Sequence, residues 1–183
     1  MVLIDETYFT GELSLPNIPV STPSADGVAL AIQTVGEKGL DIFVDKYVVD
    51  FLIRLFGREL TKAFLSGLEE ETPLEIWINL KGQLLTRAGS YKASPLAGYV
   101  YYWLMRDART KTTQAGESDP NFDNAENVNN CYKMVKAWND MASMALGVHK
   151  WFCRHAREYE RYTGSYQGRN VCSITQTINT FGI

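Results

Sequence analysis

The chain has little of what chemistry at a site usually requires: two histidines and three cysteines in 183 residues. With so few histidines, no Ser-His-Asp order stands out. Neither Gly-x-x-x-x-Gly-Lys-[Ser/Thr] nor Gly-x-Gly-x-x-Gly occurs, so nucleotide binding has no support in the sequence. No stretch approaches the roughly eighteen consecutive apolar residues of a membrane-crossing helix. The opening Met1-Val2-Leu3-Ile4-Asp5-Glu6 lacks the basic region and apolar run of a secretory signal. The expectation is a protein that stays where it is made unless an assembly carries it elsewhere. Cys131 and Cys153 fall on one expected helix 22 positions apart, roughly 33 Å, too far for a bridge. A reduced compartment and structural thiols, Cys172 included, are the reading.

What is present is ordinary in amount and uneven in placement. Hydrophobic residues make up 45% and charged residues 21%, as in soluble globular proteins, and the length fits one domain with its own core. The net charge of −3 conceals two halves. Residues 1–90 hold 7 Lys and Arg against 13 Asp and Glu, and residues 91–183 hold 11 against 8. An acidic half and a basic half favour head-to-tail association of copies. Overall acidity argues against duplex DNA binding as the main task.

The longest regular signal runs from about Asp123 to Tyr162. Val128, Cys131, Val135, Trp138, Ala142, Ala145, His149, Phe152, Ala156 and Tyr159 recur there every three or four positions, the seam of a helix packed lengthwise. Such a helix of roughly 55 Å must brace a bundle or reach a neighbour. Asp123-Asn124-Ala125-Glu126 is a capping box at its start, and Gly147 is a place to bend it. Upstream, Thr22-Pro23 predicts a helix to about Glu37. After Gly39 a second runs from Leu40 to Phe56, with Phe43, Val44, Tyr47, Val48, Phe51, Leu52 and Leu55 as its buried stripe. Gly57 is its stop.

Glu59–Leu68 reads as helix, and Thr72-Pro73-Leu74-Glu75 as a capping box opening another to about Leu85. Arg87–Ala93 reads as a loop, Ser94-Pro95 starts a helix to about Arg109, and Thr110–Asn121 is an exposed loop. Leu3–Phe9 and Glu12–Leu15 lean toward β-structure between Gly11, Pro16 and Pro19. After Tyr162, Gly164, Gly168 and Asn170 lead into the alternating Val171–Asn179. The fold class expected is mainly α: a helical bundle with one long C-terminal helix and short β-like arms. The divisions are an extended arm over 1–22, a helical domain over 23–162 and an extended arm over 163–183, a tail with too little apolar surface to order itself alone, for which pairing with another subunit is one solution.

Candidate chemistry is sparse. His149 and Cys153 at i and i+4 present two ligands, but zinc needs more, and His155 projects about 240° away around the helix. A packed histidine and a buried thiol are the simpler reading. Cys153 lies deep inside a helix, away from the N-terminal position that favours a catalytic thiolate. Glu69-Glu70-Glu71 suits a solvated cluster ahead of a capped helix better than a metal site. Lys150, Arg154, Arg157 and Arg161 form a basic stripe suited to phosphate or an acidic partner, or to solvent with Glu158 and Glu160 as balance. Tyr99, Tyr101, Tyr102 and Trp103 decorate one helix nearly all round, and with Trp138 and Phe152 they are the candidate subunit interface.

Two stretches carry a likeness: Tyr47-Val48-Val49-Asp50-Phe51-Leu52-Ile53-Arg54-Leu55-Phe56-Gly57-Arg58-Glu59-Leu60, and Ser94-Pro95-Leu96-Ala97-Gly98-Tyr99-Val100-Tyr101-Tyr102-Trp103-Leu104-Met105-Arg106 followed by Thr112-Thr113-Gln114-Ala115-Gly116-Glu117. Over about residues 40–118 they resemble the head–tail connector, or neck ring, proteins of crAss-like tailed bacteriophages. The resemblance implies a non-enzymatic virion protein without cofactors. It would form a ring, commonly a dodecamer, beneath the portal protein, extend the channel for genomic DNA, and dock the next neck or tail protein. The alternatives are a small helical ligand-binding or enzymatic domain, with a pocket around Tyr101, Tyr102 and His149, and a helical nucleic-acid-binding regulator using the basic stripe.

Overall fold

A computed structural model describes residues 2–15, 27–88, 91–109, 111–113, 116–118, 131–163 and 171–179. The fold is mainly helical, and its core is organised around one short, aromatic helix. The first element, α1 (Gly27–Phe56), is a single helix of 30 residues where the sequence suggests two. A glycine inside a helix costs about 1 kcal/mol relative to alanine. Burial of Leu40, Val44, Val48, Phe51, Leu52, Leu55 and Phe56 along one side outweighs that at Gly39. The expected start at Thr22-Pro23 lies outside the described residues. Gly57 stops α1 as expected: its φ of 85° suits glycine, and its N–H donates to the Ile53 carbonyl at 2.9 Å.

Gly57 is also the N-cap of α2 (Arg58–Leu68). Next comes α3 (Glu75–Leu84), capped by the Leu74 backbone without a side-chain bond. Trp77 N–H and Ile78 N–H both reach the Leu74 carbonyl, at 2.9 and 3.3 Å. The box expected at Thr72 therefore stands two residues too early. Seating Trp77, 2% exposed, against Gly67 and Phe64 fixes where the helix begins. The loop expected at Arg87–Ala93 is a hairpin, β1 (Thr86–Ala88) with β2 (Tyr91–Ala93), in which Arg87 faces Lys92. Three-residue strands are too short to show a period. A second small hairpin, β3 (Lys111–Thr113) with β4 (Gly116–Ser118), occupies part of the other expected loop.

Between the hairpins runs α4 (Pro95–Arg109), started by Ser94, whose Oγ accepts the Leu96 N–H at 3.1 Å. This matches the sequence signal. The long helix α5 spans Cys131–His155, tightens to 3₁₀ over Ala156–Tyr159, and resumes as α6 (Glu160–Thr163). Its expected cap at Asp123 and seam residue Val128 lie outside the described residues. α5 passes Gly147 without interruption. Its buried face is Met134, Ala137, Trp138, Met141, Ala142, Ala145, Val148 and Phe152. The seam thus centres one residue from the expected line at Val135 and His149, because Ala137 and Met141 face Gly98 of α4. A methyl group on Gly98 would sit 2.9 Å from Met141 Cβ and 3.3 Å from the Ala137 carbonyl. Helices α1 and α5 flank α4, and the long helix finds its cover within the chain.

Neither described arm is β-like. Residues 6–8 and 11–13 are 3₁₀ turns, and Leu3, Ile4, Tyr8, Phe9 and Leu15 are buried in the core. Lys92 holds this segment through Thr7 and lies 4.0 Å from Asp5. Of the tail, residues 164–170 and 180–183 lie outside the described residues. The part that follows forms α7 (Cys172–Thr175), with Val171 and Ile174 buried. Trp138 Nε1 donates to the Gln176 carbonyl at 2.8 Å. Asn139 accepts the Ile178 N–H at 2.8 Å and donates to the Ile178 carbonyl at 3.1 Å. Pairing with another subunit is one way to order such a tail; here two α5 side chains, which periodicity alone does not reveal, bond the Gln176 carbonyl and both backbone groups of Ile178.

Gly67 and Gly82 make a contrasting pair. A Cβ at Gly67 would overlap the rigid Trp77 indole, whereas one at Gly82 meets nothing within 4 Å. Gly67→Ala should lower urea-unfolding stability by about 1–3 kcal/mol. Gly82→Ala should raise it by up to about 1 kcal/mol.

Candidate interaction surfaces

The aromatic side chains expected at an interface turn inward, Tyr99 and Trp138 in a cluster around α4 and Phe152 beside Phe56 and Tyr159. Tyr99, Tyr101, Trp138 and Phe152 are 1%, 2%, 9% and 1% exposed. The expectation that they contact another subunit is corrected: α4 is apolar nearly all round because α1 and α5 cover it. Tyr102 and Trp103 are half-buried. Tyr102 packs on Trp138 at 4.7 Å between ring centroids, and Trp103 stacks on Tyr47 at 5.4 Å.

At the edge of this cluster Asp50 of α1 accepts the Tyr99 hydroxyl at 2.6 Å and Arg54 Nε at 2.8 Å. Burial, then the bond to Asp50, pushes the Tyr99 phenol well above its ordinary range. The bond to Asp50 likewise raises Arg54. Tyr159 behaves similarly: burial and then Glu158 push it up to about 12, and its hydroxyl donates to the Ile76 carbonyl at 2.9 Å.

The basic stripe is a surface feature. Lys150, Arg154, Arg157 and Arg161 are all exposed. Arg154 Nε donates to the Lys150 carbonyl at 3.2 Å, and Arg161 lies 4.6 Å from the Tyr162 ring centroid. Among the described residues none of the four pairs with a carboxylate, Glu158 and Glu160 included. Exposed large apolar side chains gather mainly on two other elements: Ile42 and Val49 on α1, and Leu74 and Ile78 at α3. Glu70, Glu71 and Glu75 are exposed around that second pair.

His149 and Cys153 do meet, with Nε2 and Sγ 3.5 Å apart. Cys153 is exposed, which corrects the buried thiol expected there, and Cys172 is exposed as well. The α5 seam passes through Val148 and Phe152, which leaves His149 half-buried and Cys153 at the surface. Burial lowers the His149 pKa, and His149 Nδ1 is buried without a partner among the described residues. His155 turns away to stack on Trp151 and bond its carbonyl. No cluster of three metal-ligating side chains occurs among the described residues.

A cleft of about 630 Å³ opens between the N-terminal turns, β2, the start of α4 and α5. Tyr8, Leu13, Lys92, Gly98, Lys136 and Asp140 line it. Lys136 reaches both Glu12 (2.5 Å) and Asp140 (2.8 Å), bonds that raise its pKa with Asp140 first. This is not the pocket expected around Tyr101, Tyr102 and His149, since Tyr101 is closed off in the core. Sequence reasoning missed the cleft because its walls, from Tyr8 to Met144, come from segments far apart in the chain that carry no motif. No described helix is long and apolar enough to cross a membrane. Comparisons with known protein families, characterised proteins and solved structures find no match.

Burial raises Tyr101 as well, and the three raised phenols, Tyr99, Tyr101 and Tyr159, make stability depend on alkaline pH. The folded state favours the neutral phenol, so this contribution is complete below an unfolded pKa of about 10 and is lost as pH rises through the folded values. The urea midpoint should fall between pH 10 and about 12, the folded value of Tyr159. In Tyr159→Phe the fall should be shallower.

Proposed function

We propose that this chain is a structural subunit of a tailed-phage neck, a connector ring that sits below the portal protein and joins the capsid to the tail. The observation that carries the reading is the combination on α5 and α6. One face is buried by the chain itself, and the other presents four exposed cations without carboxylate partners among the described residues. A self-sufficient helical core with one-signed and apolar features left at its surface is what a building block needs. The resemblance over residues 40–118 supplies the rest: ring formation, contact with the next neck or tail protein, and a channel surface near genomic DNA. The virion is the location this reading implies.

A second reading, a ligand-binding module, is favoured by the cleft between the N-terminal turns and α5. Its mainly apolar lining with a few charged groups suits a small amphipathic molecule.

Sedimentation velocity over a concentration series, with negative-stain imaging of the same samples, separates the two. The connector reading expects a discrete ring of many subunits. A monomer at every concentration contradicts it and leaves the cleft as the better guide.

A further inference from the structure

We infer that the corner between α2 and α3 of one subunit docks on the α5–α6 basic stripe of a second copy, an inference that rests on the ring reading. Residues 69–80 contain four glutamates and no lysine or arginine. Glu70, Glu71 and Glu75 are exposed. Inside this acidic rim, Leu74 and Ile78 are 45% and 54% exposed, one helical turn apart. Their outward placement is fixed from within: Trp77, Leu80 and Leu84 occupy the buried face of α3. Tyr159 bonds the Ile76 carbonyl at 2.9 Å, and Tyr162 packs on Trp77 at 4.8 Å. The corner is a rigid shelf with an apolar centre.

The stripe is its counterpart in charge. Lys150, Arg154, Arg157 and Arg161 are bordered by Glu158 and Glu160, which leaves a positive balance, and Leu146 at its upper end is 38% exposed. Within one chain the corner abuts α6, yet among the described residues no ion pair joins the two patches. Among the described residues, Glu70, Glu71 and Glu75 on the corner and the four cations of the stripe form no ion pair, which leaves them to a second copy. Because the contact joins two different patches, it can propagate head to tail and forms a ring when the rotation closes, whereas reciprocal use of both patches by two copies gives a two-fold dimer. Complementary potentials select this register over like-charged ones. The arrangement also gives the acidic and basic halves of the sequence a common purpose.

The test uses the full chain and two variants, Glu70→Lys/Glu71→Lys/Glu75→Lys and Arg154→Glu/Arg157→Glu, each checked for native circular dichroism and analysed by sedimentation velocity. Each variant alone places like charges in contact. Its assembly should require at least about a hundredfold higher concentration than wild type. Mixed in equal amounts, the variants restore opposite charges at every contact and should assemble together again, which a folding defect would not allow. Assembly of each variant as in wild type overturns the docking and leaves the ring reading standing. If the arginine variant assembles normally but loses salt-sensitive binding to duplex DNA, the stripe faces nucleic acid and the inference fails. A charge-dependent two-fold dimer supports the docking and contradicts the ring. Wild type that stays monomeric sinks both.

Discussion

Helix α4 meets α5 at a glycine, and the backbone separation set there governs the rest of the bundle. With Met141 Cβ 2.9 Å and the Ala137 carbonyl 3.3 Å from where a Cβ of residue 98 would lie, no larger side chain fits without shifting a helix. The close approach lets Tyr99 pack on Phe51 and Tyr47 on one side and on Trp138 on the other. Its hydroxyl still reaches Asp50, so a polar tip is satisfied where it leaves the apolar core. α5 is thereby held in the phase that buries Met141, Ala145, Val148 and Phe152, and the same phase turns Lys150 and Arg154 outward. Core and charged face are two consequences of one helix rotation.

The two ends of the described chain close the same core. The N-terminal turns bring Leu3, Ile4, Tyr8 and Phe9 under β2 and α5, and α7 with the residues after it lies along α5 through Trp138 and Asn139. Trp138 therefore serves three purposes: its ring packs on Tyr99 and Tyr102, and its N–H holds the tail. Side chains that look like interface anchors in the sequence act as internal ties.

Helices were legible where strong local signals coincide with burial. Ser94-Pro95, Gly57 and the stripe from Val44 to Leu55 each combine a start, a stop or a period with a matching environment. Reading failed where tertiary contact decides. Gly39 looked like a break, but one glycine costs only about 1 kcal/mol in a helix, too little to end one whose following turns are buried from Leu40 onward. Thr72 looked like a cap, but Trp77 needs its seat beside Gly67. The arms looked extended because the first has short β-leaning pieces and the tail alternates, while the contacts that fold them come from partners over 30 residues away. The α5 seam was legible to within one position, and that one position decided whether His149 or Val148 faces the core. Of the candidate surfaces, the basic stripe was legible because charge repeats at helical spacing; the aromatic cluster was found, but a decorated helix cannot say whose atoms cover it.

Native-state hydrogen exchange of the α4 amides, followed over a wide dilution series, tests most directly whether the chain covers its own aromatic helix. Cover from within predicts that Tyr99 to Met105 exchange only through global opening, at a rate that does not change with concentration. Protection of those amides that disappears on dilution would mean that neighbouring molecules complete the core, and the self-contained bundle described above would be wrong.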